Sequence, residues 1–402
     1  MKKKIVRITT VPKAMGLLKG QLKFMTDHYE IIGISSSGID HSTSEVGKKD
    51  GIEEIPSDHT LEQARIREGI RVIPVELTRK ITPIKDLISV WQLYRIFKKE
   101  KPFIVHSHTP KAGTLGMLAA FLARVPHRLH TIAGMPLLVA TGPRRLLLDV
   151  VEKITYKCAT MIYPNSFGLK DIILEEGYTK ESKLKVIGKG SSNGIDTSHF
   201  DPGKYSKEDR NELRKSLGID DDDFVYLFVG RLVKDKGINE LIQVFKELND
   251  VHKKAKLVLV GPYEKDLDPL LPETEETINT HPNIKFVGWK NDVRPYFHIS
   301  DVLTFPSYRE GFPNVVMQSG AMGLPSIVTD INGCNEIVIE DENGLIVPPM
   351  NAKGLKDAMM KIYNCSRNDK LFDSDNNRQM IKDRYERRSI WKEILKEYQA
   401  LN

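Results

Sequence analysis

Cysteine is scarce in this sequence: Cys158, Cys334 and Cys365 stand far apart, odd in number, among 402 residues. Such spacing excludes a disulfide framework, does not match a zinc cluster, and fits a reducing cytosol. Long apolar runs are missing too. The longest near-apolar stretch, AGTLGMLAAFLA at 112–123, is about half the roughly 20 residues that a membrane-spanning helix needs. The start, MKKKIVRITTVPKAMG, is basic, but its apolar run is broken by arginine, threonine and proline. It is expected to form a first buried strand and not a secretory leader. No Walker loop and no GxGxxG occurs, so nucleoside triphosphate hydrolysis and dinucleotide binding are poorly supported. There is no convincing short-period repeat. Hydrophobic residues at 40% and charged residues at 28% leave no room for extended disorder.

What is present suffices for two domains of roughly 150 to 200 residues each. The charge is divided unevenly between the halves: 31 Lys+Arg against 20 Asp+Glu in residues 1–200, and 29 against 34 in the rest. A basic first half suits an anionic membrane surface, since each cation near anionic lipid contributes about 1 kcal/mol; a solvated surface carries the same letters.

Short β-rich runs alternate with helix-like segments. KIVRITT, YEIIGISS, RVIPVEL, FIVHSHT, RLHTIAG and TMIYPNS read as strands of the first half. VYLFVG, KLVLVG, IKFVGW, VLTFPS, SIVTD and GLIVP repeat the scheme in the second half. Between them, Leu87, Val90, Trp91, Tyr94 and Phe97 fall at helical spacing within 83–99, and Ile238, Leu241, Ile242, Phe245 and Leu248 share a second helical face. Alternation of this kind predicts an α/β protein with two doubly wound parallel sheets and a ligand cleft outside the carboxyl ends of their strands. The turn formers and charges near 191–210 place the boundary after residue 198, giving domains 1–198 and 199–385; Asn193-Gly194 is a candidate hinge. Trp391, Ile394, Leu395 and Tyr398 form one stripe, so the helix over 386–402 is expected to pack back onto the first domain.

Three stretches carry candidate chemistry. In FVGRLVKDKG, Arg231 and Lys236 leave a strand end as a helix opens at Gly237, a pattern that suits a diphosphate gaining charge as it departs. In PSYREGFPNVVMQSGAMGLP, Pro313 predicts the first turn of a helix, with Gly311, Phe312 and Asn314 at its mouth, Glu310 beside it and Gln318 about one and a half turns in. A glutamate there is also a common complement to the helix dipole. In FIVHSHTPKAG, His106 and His108 share one strand face. HxH is a metal-ligand pattern as well, but no later His or Asp at a matching strand end completes a site. One histidine is expected to pack or cap, the other to face the cleft. Gly16 lies near a helix start, where a ligand can approach the backbone and where a plain turn also suits glycine.

Taken together, GRLVKDKG, REGFPNVVMQSGAMGLPSIVTD, NGLIVPP, SSNGID and the C-terminal IWKEI resemble the retaining glycosyltransferases of family 4 (glycosyl transferases group 1), over nearly the whole chain. HSHTPKAGTLGMLAA resembles bacterial members that build capsule, O-antigen or other lipid-linked glycans. The resemblance implies the GT-B architecture of two Rossmann-like domains, the first for acceptor and the second for the nucleotide-sugar donor, and a cytoplasmic enzyme peripheral at the inner face of the membrane. It implies that Arg231 and Lys236 bind the donor diphosphate, that Glu310 contacts sugar hydroxyls, and that the turn Gly311, Phe312, Pro313, Asn314 lines sugar and phosphate. It further implies that His108 lies near the transferred sugar, that Gly16 lies by the phosphates, and that Trp289 falls where base contacts occur. Gln318 stands where the family has its second acid, which holds the nucleotide ribose. An amide offers one acceptor and one donor group in place of two acceptors. The expected partners are a nucleotide diphosphate sugar, a lipid-linked saccharide acceptor and an anionic membrane surface, with no nucleic acid, no cofactor and no metal. A two-Rossmann nucleotide-sugar epimerase and an inactive sugar-nucleotide-binding homologue are the alternative readings.

Overall fold

The structure, a computed structural model, describes residues 2–37, 60–78, 82–135, 137, 140–264, 268–368 and 372–401. It divides into two units, Met1–Asn193 with Arg388–Asn402, and Gly194–Arg387. The division at Asn193 has a local cause. Asn193 bonds within the first unit, its Oδ1 accepting from Trp391 Nε1 at 2.7 Å. Ile195 instead exchanges backbone hydrogen bonds with Tyr385 and Arg387, at 2.9 and 3.0 Å.

Each unit holds one six-stranded sheet. The first contains β1 (Lys4–Ile8), β2 (Glu30–Ser35), β3 (Arg71–Pro74), β4 (Ile104–Ser107), β5 (His127–Ile132) and β6 (Met161–Pro164). The second contains β7 (Phe224–Val229), β8 (Ala255–Val260), β9 (Ile284–Gly288), β10 (Val302–Phe305), β11 (Ser326–Thr329) and β12 (Gly344–Val347). The orders are β3-β2-β1-β4-β5-β6 and β12-β11-β10-β7-β8-β9. These are one topology built twice, and every pairing is parallel. All twelve strands expected from sequence form, because a strand covered by helices on both faces reads as a continuous apolar run; β7 and β8 are almost wholly buried.

The expected face of the helix Ile238–Val251 is buried throughout, each side chain contributing roughly 2 kcal/mol of gross burial. The helix Pro83–Glu100 differs from expectation. It buries Val90, Leu93 and Phe97, while Leu87 and Trp91 are exposed. Apolar residues occupy more than one side of this helix, so periodicity alone did not choose the side that meets the sheet. The C-terminal helix Arg387–Ala400 buries Trp391, Ile394, Leu395 and Tyr398 in one core with β1 and β4. Gly20 permits this docking: its φ is +81°, and an added Cβ would lie 2.7 Å from the Trp391 ring. The last helix of the second unit, Ser374–Tyr385, packs against Asn314–Ala321.

Candidate active site

In the second unit the strand order reverses between β7 and β10, the point at which open α/β sheets hold ligands beyond their carboxyl ends. The two loops leaving these strands are laced together. After β7 come Arg231, the tight turn Lys234–Lys236 and Gly237, which adopts φ +69°. A Cβ on Gly237 would overlap the carbonyl oxygen of Pro306, in the loop after β10. The Tyr308 N–H donates to the Asp235 carbonyl at 2.9 Å, and Arg309 pairs with the Asp235 carboxylate at 2.5 Å.

Across this seam the Lys236 ammonium forms an ion pair with Glu310 Oε1, both side chains mostly buried. The Ser307 hydroxyl donates to the same oxygen at 3.0 Å, and the Asn332 amide donates to the Glu310 carbonyl. Glu310 Oε2 has no hydrogen-bond partner among the described residues, so one acceptor stays available for a hydroxyl. Lys236 also lies 5.5 Å from the Phe305 ring centroid, within cation–π range. Arg231 pairs with Glu264, which follows β8, but the arginine is 48% exposed. Such a pair is worth about 0–1 kcal/mol, so exchanging its carboxylate for another anion costs little.

Around this centre two expectations shift. Pro313 is the residue before the helix Asn314–Ala321 and not in its first turn: its ψ of 114° is extended, so the helix begins one residue later. The Phe312 ring belongs to the core, edge-on to Tyr385 at 5.3 Å, which leaves only its backbone for a ligand. Gln318 is half-buried, and its side-chain amide has no hydrogen-bond partner among the described residues. Gly311 and Pro313 are buried, Asn314 is exposed and Trp289, after β9, is half-buried.

In the first unit the same reversal falls between β1 and β4. Arg7 is in register with His106, and strand alternation puts His108 on the same face. The Arg7 side chain is fully buried. It donates through Nε to His108 Nε2 at 2.9 Å, through Nη1 to the Tyr398 hydroxyl at 3.0 Å and through Nη2 to Gln21 Oε1 at 2.5 Å. His106 contacts the Tyr398 hydroxyl at 2.6 Å through Nδ1 and Thr131 Oγ1 at 2.8 Å through Nε2. Burial first, and then the Arg7 charge, hold both histidines well below the usual pKa. His106 is thus the packed histidine of the pair. His108 is also buried, and its Nδ1 is without a hydrogen-bond partner. Three of these four ring nitrogens already have protein partners, an arrangement unlike an HxH metal pair. Gly16 adopts ordinary helical angles, so no turn demands glycine there, and a Cβ on it would meet nothing within 4 Å.

The family model for glycosyl transferases group 1 matches residues 209–386, and that for glycosyl transferase 4-like matches 54–166. The capsular polysaccharide biosynthesis glycosyltransferase CapM of Staphylococcus aureus is 33% identical over 97% of this chain and 95% of its own length. The chain belongs to the group 1 glycosyl transferases. A second relative of this glycosyltransferase is the UDP-Gal:alpha-D-GlcNAc-diphosphoundecaprenol alpha-1,3-galactosyltransferase of Escherichia coli, 32% identical over 71% of this chain and 73% of its own. Among solved structures, a glycosyltransferase from Rickettsia africae superposes with a TM-score of 0.78 at 20% identity, over 100% of this chain and 98% of that one. HepE of Anabaena in complex with UDP superposes at 0.76 and 18%, covering both chains fully. The fold is GT-B.

Glu264, Ser307 and Asn332, which hold Arg231 and Glu310, were not found from sequence. Nor was Gln21, a partner of Arg7, and Tyr398 was read only as part of an apolar stripe. The one available signal was Arg7 itself, a lone cation at an inward position of the strand KIVRI.

Proposed function

We propose that this glycosyltransferase moves a hexose or N-acetylhexosamine from a UDP-sugar to a polyprenyl-diphosphate-linked saccharide, with retention at the anomeric carbon and without a metal. The observation that carries this reading is the Lys236–Glu310 pair at the switch point, beside the exchangeable Arg231. Lys236 and Arg231 present donors to a diphosphate, the helix opening after Gly237 adds its positive end, and these fixed charges take the role a metal would have. In the second unit the free Glu310 oxygen serves the sugar and the loop Gly311–Asn314 lines it; in the first unit, His108 is the residue assigned to the sugar and Gly16 the one assigned to the phosphates. The sugar C1–O bond to the diphosphate breaks, the acceptor oxygen bonds to C1 on the same face, and the acceptor proton passes to the departing phosphate. The names of the S. aureus and E. coli relatives, and of an N,N'-diacetylbacillosaminyl-diphospho-undecaprenol alpha-1,3-N-acetylgalactosaminyltransferase of Campylobacter jejuni, 28% identical, support a lipid-linked acceptor.

A membrane-facing surface fits the first unit. No described helix is long and apolar enough to cross a membrane. The helices Pro83–Glu100, Pro110–Leu122 and Gly142–Cys158 lie side by side, with Ile84, Leu87, Trp91, Phe121, Leu146 and Val150 exposed. Exposed Lys85, Arg95, Lys98, Lys99, Arg144 and Lys153 interleave with them. Apolar side chains among cations suit an anionic bilayer surface.

Labelled UDP-sugars, with and without a polyprenyl-diphosphate sugar in vesicles, test both points. Acceptor-dependent UDP release with an α-linked product from an α-linked donor is expected. Release without acceptor marks an epimerase, and binding without turnover an inactive homologue. Anionic vesicles are expected to co-float the protein and neutral ones to leave it behind; equal flotation refutes the membrane face. Gln318→Glu restores a charged acceptor for the ribose. It is expected to tighten UDP binding by about 1 kcal/mol in calorimetry and to leave the product anomer unchanged; an altered anomer refutes the ribose assignment.

A further inference from the structure

Arg7 is a fully buried cation that no carboxylate pairs with among the described residues. A group so placed requires that all its neighbours accept, because guanidinium has only donors. That requirement orders the protons around it. His108 Nε2 accepts from Arg7, so the proton of the neutral ring is on Nδ1, the buried nitrogen that has no partner in the protein. The Tyr398 oxygen accepts from Arg7 as well. With no other acceptor for it among the described residues, the Tyr398 proton is directed to His106 Nδ1, and His106 Nε2–H then donates to Thr131. One guanidinium thus sets the tautomer of His108 directly and, through the Tyr398 hydroxyl, favours the opposite one on His106, the two rings being tilted with centroids 4.2 Å apart. Gln21 anchors the third arm of the fork and passes the constraint to the Ser192 carbonyl and Asn193.

The geometry points to Arg7 as a positioning residue for sugar transfer: it holds His108 as a neutral Nδ1–H donor, so that His108 offers substrate a hydrogen and never a lone pair. This rests on the reading that His108 meets the donor sugar. A sugar hydroxyl or ring oxygen then accepts from Nδ1, and His108 is excluded as the base that takes the acceptor proton. The charged and titratable groups near His108 are Arg7 on β1, His106 on β4, His130 on β5, Tyr163 on β6, and Glu397 and Tyr398 on the C-terminal helix. Burial first, and then Arg7 and the neighbouring histidines, oppose a second proton on His108, so its donor state persists across neutral and mildly acid pH.

The test is nitrogen NMR of the full-length protein labelled with 15N-histidine, without substrate, His108 being assigned by difference from His108→Gln. At pH 7 the His108 ring is expected to carry its proton on Nδ1 and the His106 ring on Nε2. Arg7→Met is expected to release this bias, to let His108 titrate nearer the ordinary histidine range, to add an acid limb to the kcat/KM profile and to lower kcat about 100-fold, the scale of a misplaced group. Should Arg7→Met not fold, Tyr398→Phe decides: it keeps the Arg7–His108 bond and is expected to free the His106 tautomer while leaving that of His108 unchanged. A wild-type His108 protonated on Nε2 or on both nitrogens overturns the inference, as does an Arg7→Met enzyme with unchanged spectrum and pH profile. Because the spectrum needs no substrate, its failure is separate from failure of sugar transfer, which would overturn the functional reading.

Discussion

Lys236→Ala is expected to lower kcat by about 10³-fold, the upper range for removing one preorganised donor from developing charge. The ammonium sits at the meeting of two loops, fixed on one side by the Lys234–Lys236 turn and on the other by Glu310. Water filling the space left by the lysine cannot reproduce a positive charge aimed at a leaving diphosphate. The mutation also leaves the mostly buried Glu310 carboxylate without its cation, a loss of about 1–3 kcal/mol. Adding Glu310→Gln removes the uncompensated charge. The double variant is therefore expected to recover stability in urea unfolding, which identifies the stability lost in Lys236→Ala as the cost of the uncompensated carboxylate. Near-normal steady-state UDP release by Lys236→Ala would remove the diphosphate role.

Gly237→Ala is the second large effect, and it acts through the backbone. Gly237 has φ +69°, which costs a residue with a Cβ about 1–2 kcal/mol. The added methyl would also overlap the Pro306 carbonyl, and forcing two packed segments apart costs about 1–3 kcal/mol more. Together these predict roughly 2–5 kcal/mol of lost stability in the second unit, visible as a lower urea midpoint at unchanged slope. The loop after β7 would retreat from the loop after β10, and with it Lys236 from Glu310. Donor affinity, read by UDP titration, is expected to fall alongside stability. An alanine variant with wild-type stability and affinity would show that this close approach does not build the site. The glycine of KDKG is thus explained by the loop beside it, a reason that its own neighbours in sequence do not contain.

Strands and their order of appearance were legible from the residues because a parallel strand buried on both faces is written as a local apolar run, and the helix 238–251 because its stripe is narrow. The helix 83–100 shows where that legibility ends: its apolar residues surround it, and contact with its neighbours chose Val90, Leu93 and Phe97 for burial. The motif residues Arg231, Lys236, Glu310 and Gln318 could be named from spacing and resemblance. Their partners could not, since Lys236 and Glu310 are 74 positions apart, and Arg7 and Tyr398 391 apart. By itself the sequence determined alternating elements, two parallel sheets and which cations and acids are candidates for the site, all properties of short windows of side-chain periodicity and chemistry. Only the tertiary structure decided which acid meets which cation, that the Phe312 ring is spent on the core, and that a buried arginine is hydrogen-bonded to His108 and Tyr398. Those outcomes depend on sheet order and helix docking, which bring distant residues within hydrogen-bond reach and which no local pattern encodes.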